Sequence, residues 1–307
     1  MESLIQVRFT PLLLGVTCSP HIAFLKGPAT PEEADAFLSA HKPSSATEVP
    51  SGWLWVEPDS AKAAKQFHHE ARSEAEDKFL AEGAAVVERL TNRCAEIKTT
   101  APVRANKAKG IQSQKQLREE AHERFNTEVK ELAFKHNILT GKWLFYVGEE
   151  GIDAVWSKIF KAVALADGAL IKTGAVHCAK VSCSPGDSNS WVICVYCDNS
   201  WDKEAVGRVF RVLVEDLGLV SGAYKSDANT LLGIDSKHES GIRSSLWTKH
   251  DFMTKDEIDA ALAAKSKAKA APKKTLEDEI KSGAAEGFDP VSDSDEGEPA
   301  PKKAKKA

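Results

Sequence analysis

Between Thr140 and Ile234 the apolar residues switch repeatedly between a two-residue and a 3.6-residue period, and this alternation limits the folds open to the chain. Lys142–Val147 is predicted as a strand with Trp143, Phe145 and Val147 on one face. Gly151–Leu165 is predicted as a helix burying Ile152, Val155, Trp156, Ile159, Phe160 and Val163. Ala175–Ser182 and Trp191–Cys197 read as two strands, and the turn-rich Ser184-Pro-Gly-Asp-Ser-Asn between them makes a hairpin with a long loop. Asp202–Leu217 is the clearest helix. Asp202 or Ser200 can cap its start, Gly218 its end, and Val206, Val209, Phe210, Leu213, Val214 and Leu217 form its stripe. Gly222–Ile234 is expected to return as a strand. Hairpins and short connections favour an antiparallel sheet with helices packed on one face, an α+β fold.

Upstream, residues 61–98 and 113–136 are predicted as two helices. In the second, Leu117, Ala121, Phe125, Val129 and Leu132 recur at steps of three and four. Core packing is the simplest reading of both stripes. The connector between them holds Lys98, Arg104, Lys107, Lys109, Lys115 and Arg118, and from Ile97 to Arg118 it holds no acid. A flexible basic segment of this kind suits phosphate contacts, and a merely solvated loop is the competing reading. From about Ala263 the chain is rich in Lys, Ala and Pro, then acidic, then basic, with almost no bulky apolar residue to offset ordering entropy. A disordered tail is expected there, after a short helix over Thr254–Lys265. The organisation expected is an extension over 1–49, a domain over 50–252 that includes the helical segment 61–136, and a mostly disordered charged tail over 253–307.

Charge and composition narrow the function classes. The 41 basic and 45 acidic side chains leave a net charge of −4, which argues against a uniformly basic surface and leaves room for a local basic groove. No apolar run reaches the roughly 20 residues that span a bilayer, and Leu12–Val16 is too short for a secretory signal. No membrane partner is expected, and a cytoplasmic or nuclear location is. Cys194 and Cys197 have C-x-x-C spacing, but three positions apart on a strand they face opposite sides, which spoils a metal or redox pair. His177 and Cys178 are similarly weak as a metal pair, and His68 and His69 sit in a charged stretch. No paired carboxylate, G-x-S-x-G, H-E-x-x-H or P-loop stands out, so no enzyme, metal or cofactor is expected. In the tail, Ser292 and Ser294 precede acids and resemble acidophilic kinase sites, and Lys302–Lys306 resembles a short nuclear-localisation patch.

The remaining candidates are aromatic and basic. Trp53 and Trp55 alternate in a short strand and so share a face, either as core or as a platform on which a base could stack. Lys142 and Lys180 are single positive charges in otherwise apolar strands. On the uncovered face of a one-sided sheet they would point at a ligand phosphate, and solvent-facing lysines are the plain alternative.

The order of these motifs carries a resemblance. Gly141-Lys-Trp-Leu, the helix with Trp156, Gly174-Ala-Val-His-Cys-Ala-Lys180, Val192-Ile-Cys-Val-Tyr-Cys, Asp202-Lys-Glu-Ala-Val-Gly-Arg-Val and Ala223-Tyr-Lys-Ser-Asp-Ala-Asn-Thr resemble the cap-binding translation initiation factor fold. They are closer still to the basophilic-leukemia-expressed protein family, over residues 50–56 and 138–250. The resemblance implies a curved antiparallel sheet, helices on its convex face, and a concave face that in cap-binding proteins holds a methylated guanine nucleotide. It aligns Lys180 with a phosphate-binding arginine, Lys142 with another strand basic residue, and Trp143 and Trp156 with structural tryptophans. The two base-stacking tryptophans and the glutamate that reads the base edge have no counterpart, so tight cap binding is not expected. The expectation is a non-enzymatic protein that binds RNA or a nucleotide weakly on the concave face. Lys142, Lys172, Lys180 and Lys225 would bind it, with Trp53, Trp55 and the basic connector assisting. The rival is a protein-interaction adaptor that recruits partners through its helices and tail while its sheet face is filled by its own side chains.

Overall fold

The computed structural model describes residues 23–26, 29–46, 49, 51–58, 73–186 and 189–270. In chain order the elements are β1 (Ala23–Lys26), α1 (Pro31–Ala40), β2 (Trp53–Glu57), α2 (Glu74–Thr100), α3 (Gln114–Lys135), β3 (Gly141–Val147), α4 (Glu149–Ala164), β4 (Val176–Ser182), β5 (Trp191–Cys197), α5 (Lys203–Glu215), β6 (Ala223–Ser226), α6 (Asp227–Leu231), β7 (Trp247–Thr248) and α7 (Lys255–Ala270). The strands form one sheet in the order β1-β2-β4-β5-β3-β6-β7. β1 runs parallel to β2, and every other neighbouring pair is antiparallel. The fold is therefore α+β, and the predicted β4–β5 hairpin is present.

Strand alternation divides the sheet into two faces. Leu54, Val56, Trp143, Phe145, Ala179, Val181, Ile193, Val195 and Tyr224 point into the main core, where they meet α1, α4, α5 and α7. The helices are placed there by their sequences. α4 buries Ile152, Trp156, Ile159, Phe160 and Val163. α5, capped by the Asp202 carboxylate accepting from the Ala205 N–H, buries Val206, Val209, Phe210, Leu213 and Val214. Trp143 fixes the stacking of sheet on helix: its indole N–H donates to the Val206 carbonyl at 3.3 Å, and its ring lies 4.8 Å from Phe210. Burying such a ring contributes about 2–3 kcal/mol from area alone.

A second core holds the α2–α3 hairpin. Phe79, Val86, Leu90 and Cys94 of α2 meet Phe125, Val129 and Ala133 of α3, and the pair closes over Ala228, Ile234 and Ile242. The stripe predicted for the second helix is thus the packing face, joined by α6 and the segment that follows it.

Three expectations change. The return strand ends at Ser226 rather than Ile234. Ser226 accepts from the Asn229 N–H and starts α6, so local capping overrides the apolar pattern. Inside the stretch expected as an extension, Ala23–Lys26 supplies β1 and Pro31–Ala40 supplies α1, and Ala34 and Phe37 of α1 are in the main core. Helix α7 runs to Ala270, five residues past the expected end. The start of the first predicted helix, with His68 and His69, and the tail from 271, with Ser292, Ser294 and Lys302–Lys306, lie outside the described residues.

Candidate functional site

The sheet face turned away from α4 and α5 carries chemistry because its register aligns it. Trp55 of β2 lies opposite Lys180 of β4, which lies opposite Cys194 of β5. One step along the strands, Cys178 lies opposite Tyr196, Tyr196 opposite Lys142 of β3, and Lys142 opposite Lys225 of β6. Directly opposite residues share a face, so three lysines, two ring-bearing residues and two thiols meet there, with Trp53 two residues before Trp55.

Lys180 is at the centre. Its Nζ lies 4.1 Å from the Trp53 ring centroid, 4.6 Å from that of Trp55 and 5.6 Å from that of Tyr196. These distances are within cation–π range, so the rings stabilise the ammonium without neutralising it. Lys142 is anchored differently. Its Nζ donates to the Asp227 carboxylate at 2.5 Å and to Thr230 Oγ1 at 3.3 Å, and it lies 5.4 Å from the Tyr196 ring centroid. Thr140 Oγ1 donates to the second Asp227 oxygen at 2.5 Å, which fixes the carboxylate. Asp227 is held in turn by the first turn of α6, its own N–H donating to the Thr140 carbonyl at 2.8 Å.

The site is unevenly compensated. Among the described residues Lys142 has a carboxylate in direct contact, whereas Lys180 and Lys225 have none. Burial lowers the pKa of Lys180, and the charge of Lys142 lowers it further. Burial followed by Lys142 does the same to Lys225. Burial also holds the Cys178 and Cys194 thiols up, so neither is an activated nucleophile. An anion placed among the lysines would relieve their mutual repulsion, which is the chemistry this arrangement is suited to.

Of the two readings open for the Trp53–Trp55 pair, core or stacking platform, burial favours the first for Trp55. Trp55 and Tyr196 are only 6% and 7% exposed, and Trp53 is half-buried. The Trp53–Trp55 pair therefore acts here as a seat for Lys180, and Trp55 does not offer a broad stacking platform. Cys194 faces this side while Cys197 is in the helix-side core, as strand alternation requires. His177 Nδ1 is 2.9 Å from the Asp198 carboxylate. Among the described residues no group of three His, Cys, Asp or Glu side chains could hold a metal.

The other candidates are elsewhere. Lys172 is exposed in the 3-10 turn Ile171–Thr173, which packs toward α5, so it is not on this face. The basic connector is the tip of the α2–α3 hairpin. Lys98 ends α2, Lys107 and Lys109 form a 3-10 turn, and Lys115 and Arg118 open α3. Since α3 has 22 residues, about 33 Å of helix separates that tip from the approach to β3. Sequence reasoning missed Tyr196, Asp227 and Thr230. Asp227 had a local signal in Ser226-Asp-Ala-Asn-Thr, a helix-start pattern, but only the β3–β6 register brings it to Lys142.

The family model described as basophilic leukemia-expressed protein Bles03 matches residues 17–233. That span takes in the sheet from β1 to β6, the whole α2–α3 hairpin and every lysine of the site, so it is wider than the segments that carry the sequence resemblance. The chain therefore belongs to the Bles03 family.

Proposed function

We propose that the lysine-bearing sheet face is a weak binding site for the phosphates of a nucleotide or single-stranded RNA, in a protein that performs no reaction on its ligand. The observation that carries this reading is the cluster of Lys142, Lys180 and Lys225 on one face, where among the described residues only Lys142 of the three has a carboxylate in ion-pair contact. The resemblance to the cap-binding initiation factor fold supports the choice of a nucleotide phosphate, and the alignment of Lys180 with a phosphate-binding arginine supports the position. The seating of Lys180 on Trp53 and Trp55 favours phosphate recognition over base sandwiching.

The test is an equilibrium titration of the full chain with single-stranded RNA and with a nucleoside triphosphate across a salt series. Affinity is expected to fall steeply as salt rises, because phosphate contacts release counterions. Lys180→Glu and the half-buried Lys225→Glu are each expected to weaken binding about tenfold. Salt-independent binding, or binding equal to wild type in both variants, removes the proposal.

The adaptor reading has one observation in its favour, the burial of Trp55 and Tyr196 on this face. It predicts no phosphate-ligand binding at any salt concentration, so the same titration separates the two.

A further inference from the structure

We propose that the tip of the α2–α3 hairpin docks on an anionic lipid surface. Residues 102–112 are exposed without exception. Within them Val103 is 77% exposed and Ile111 is 42% exposed, two of the four large apolar side chains so exposed among the described residues. Aliphatic side chains held in water at a projecting tip suggest an apolar contact outside the chain.

The tip is built rather than ragged. Asn106 and Ile111 exchange two backbone hydrogen bonds, of 2.8 and 2.9 Å, and Gly110 takes the left-handed conformation (φ 65°) that closes the turn. The Asn106 side chain accepts from the Lys109 N–H at 3.2 Å. Behind the turn, Gln114 ties the two helices by donating to the Lys98 and Ala101 carbonyls at 3.2 and 3.0 Å. Val103 and Ile111 are therefore carried on a fixed support.

Around them stand Lys98, Arg104, Lys107, Lys109, Lys115 and Arg118. Lys115 faces Glu119 at 3.8 Å, and among the described residues none of the other five has an ion pair. Of the nearest acids, Glu96 pairs with Arg93 and Glu119 faces Lys115, both behind the tip, while Glu120 accepts from the Gln112 side chain at the tip's edge. Positive charge ringing exposed aliphatic side chains is complementary to a negatively charged headgroup layer with hydrocarbon beneath it. Nucleic acid would use the charge but not the aliphatic groups, and residues 98–118 hold no aromatic side chain on which a base could stack. A surface contact of this kind needs no membrane-spanning helix. It departs from the expectation of no membrane partner, which rests on the lack of a spanning segment.

The experiment is co-sedimentation of the full chain with vesicles of phosphatidylcholine alone and of phosphatidylcholine containing about 30% phosphatidylserine. Retention is expected on the anionic vesicles only. Lys107→Glu with Lys109→Glu should reduce it at least about tenfold, through charge. Val103→Ser with Ile111→Ser should reduce it about tenfold with the charge intact. All four positions are exposed and outside both cores, and unchanged thermal melts establish that the variants fold. Equal retention on neutral vesicles, or retention of the serine variant equal to wild type, overturns the proposal. So does a loss of single-stranded RNA binding in the serine variant as large as its loss of vesicle binding, since the tip is then a nucleic-acid contact.

Discussion

Lys180 illustrates how a strand position becomes a binding position. Its place in β4 puts the ammonium over three rings, on a face it shares with Lys142, the Asp227 carboxylate and, by strand alternation from Trp55, Glu57. The direction of its titration follows. Its pKa in the folded protein is below the ordinary 10.5, so in the window just under that value the unfolded chain holds more protons. Stability from this group therefore rises with pH across that window and is lowest below it. A bound phosphate favours the charged amine and reverses the effect, so binding takes up protons and weakens as pH rises through the same window. Titration calorimetry with inorganic pyrophosphate, in buffers of differing ionisation heat, should register proton uptake that is reduced in Lys180→Gln. Net proton exchange equal in wild type and Lys180→Gln would contradict this account of the site.

At the scale of elements, legibility followed how local the signal was. The strands β3, β4 and β5 and the helices α4 and α5 were readable because each carries its own period and caps. The hairpin helices were readable for the same reason, although Ser73 with Glu76 marks the described start of α2 more sharply than the apolar spacing does. Helix α1 escaped the reading despite the Thr30–Glu33 capping box, because ten residues with two buried positions make a faint stripe. The candidate site was half legible. Lys142 and Lys180 stood out as charges in apolar strands, but Tyr196 and Asp227 join them only through pairing between distant strands, and no local pattern encodes that register. Gly141 is a further case. A methyl group there would sit 2.3 Å from Ser200 Oγ, 2.7 Å from the Tyr224 hydroxyl and 2.9 Å from the Lys225 carbonyl. Gly141→Ala is expected to push β6 away from β3 and to cost about 1–3 kcal/mol. It should also weaken pyrophosphate binding by displacing Lys225. Urea unfolding read by tryptophan fluorescence checks the first effect, and an unchanged midpoint would mean β6 has slack at that point.

At the scale of the whole molecule, two cores share the work. The main core joins the sheet to α1, α4, α5 and α7, while the hairpin core joins α2 and α3 to α6 and the segment through Ile242. Asp227 belongs to the site and is followed at once by Ala228 of the hairpin core, so α6 is the joint between the two. Phe125→Ala should empty the centre of the hairpin core and cost about 3–5 kcal/mol. Because α6 also holds the Lys142 counter-ion, the loss should raise amide exchange at Asp227–Leu231 as well as along α2 and α3. Exchange confined to α2 and α3 would mean that the two cores are uncoupled.

The sheet order has a last consequence, for biosynthesis. β2 pairs on one side with β1, which precedes it closely, and on the other with β4. From the end of β2 to the start of β4 the ribosome must add about 120 residues, about 6–24 s at ordinary elongation rates. Through that interval Trp53, Leu54, Trp55 and Val56 are an unpaired apolar strand edge on a nascent chain. The strand that seats Lys180 in the finished molecule is thus one whose second edge waits longest for its partner while the molecule is being made.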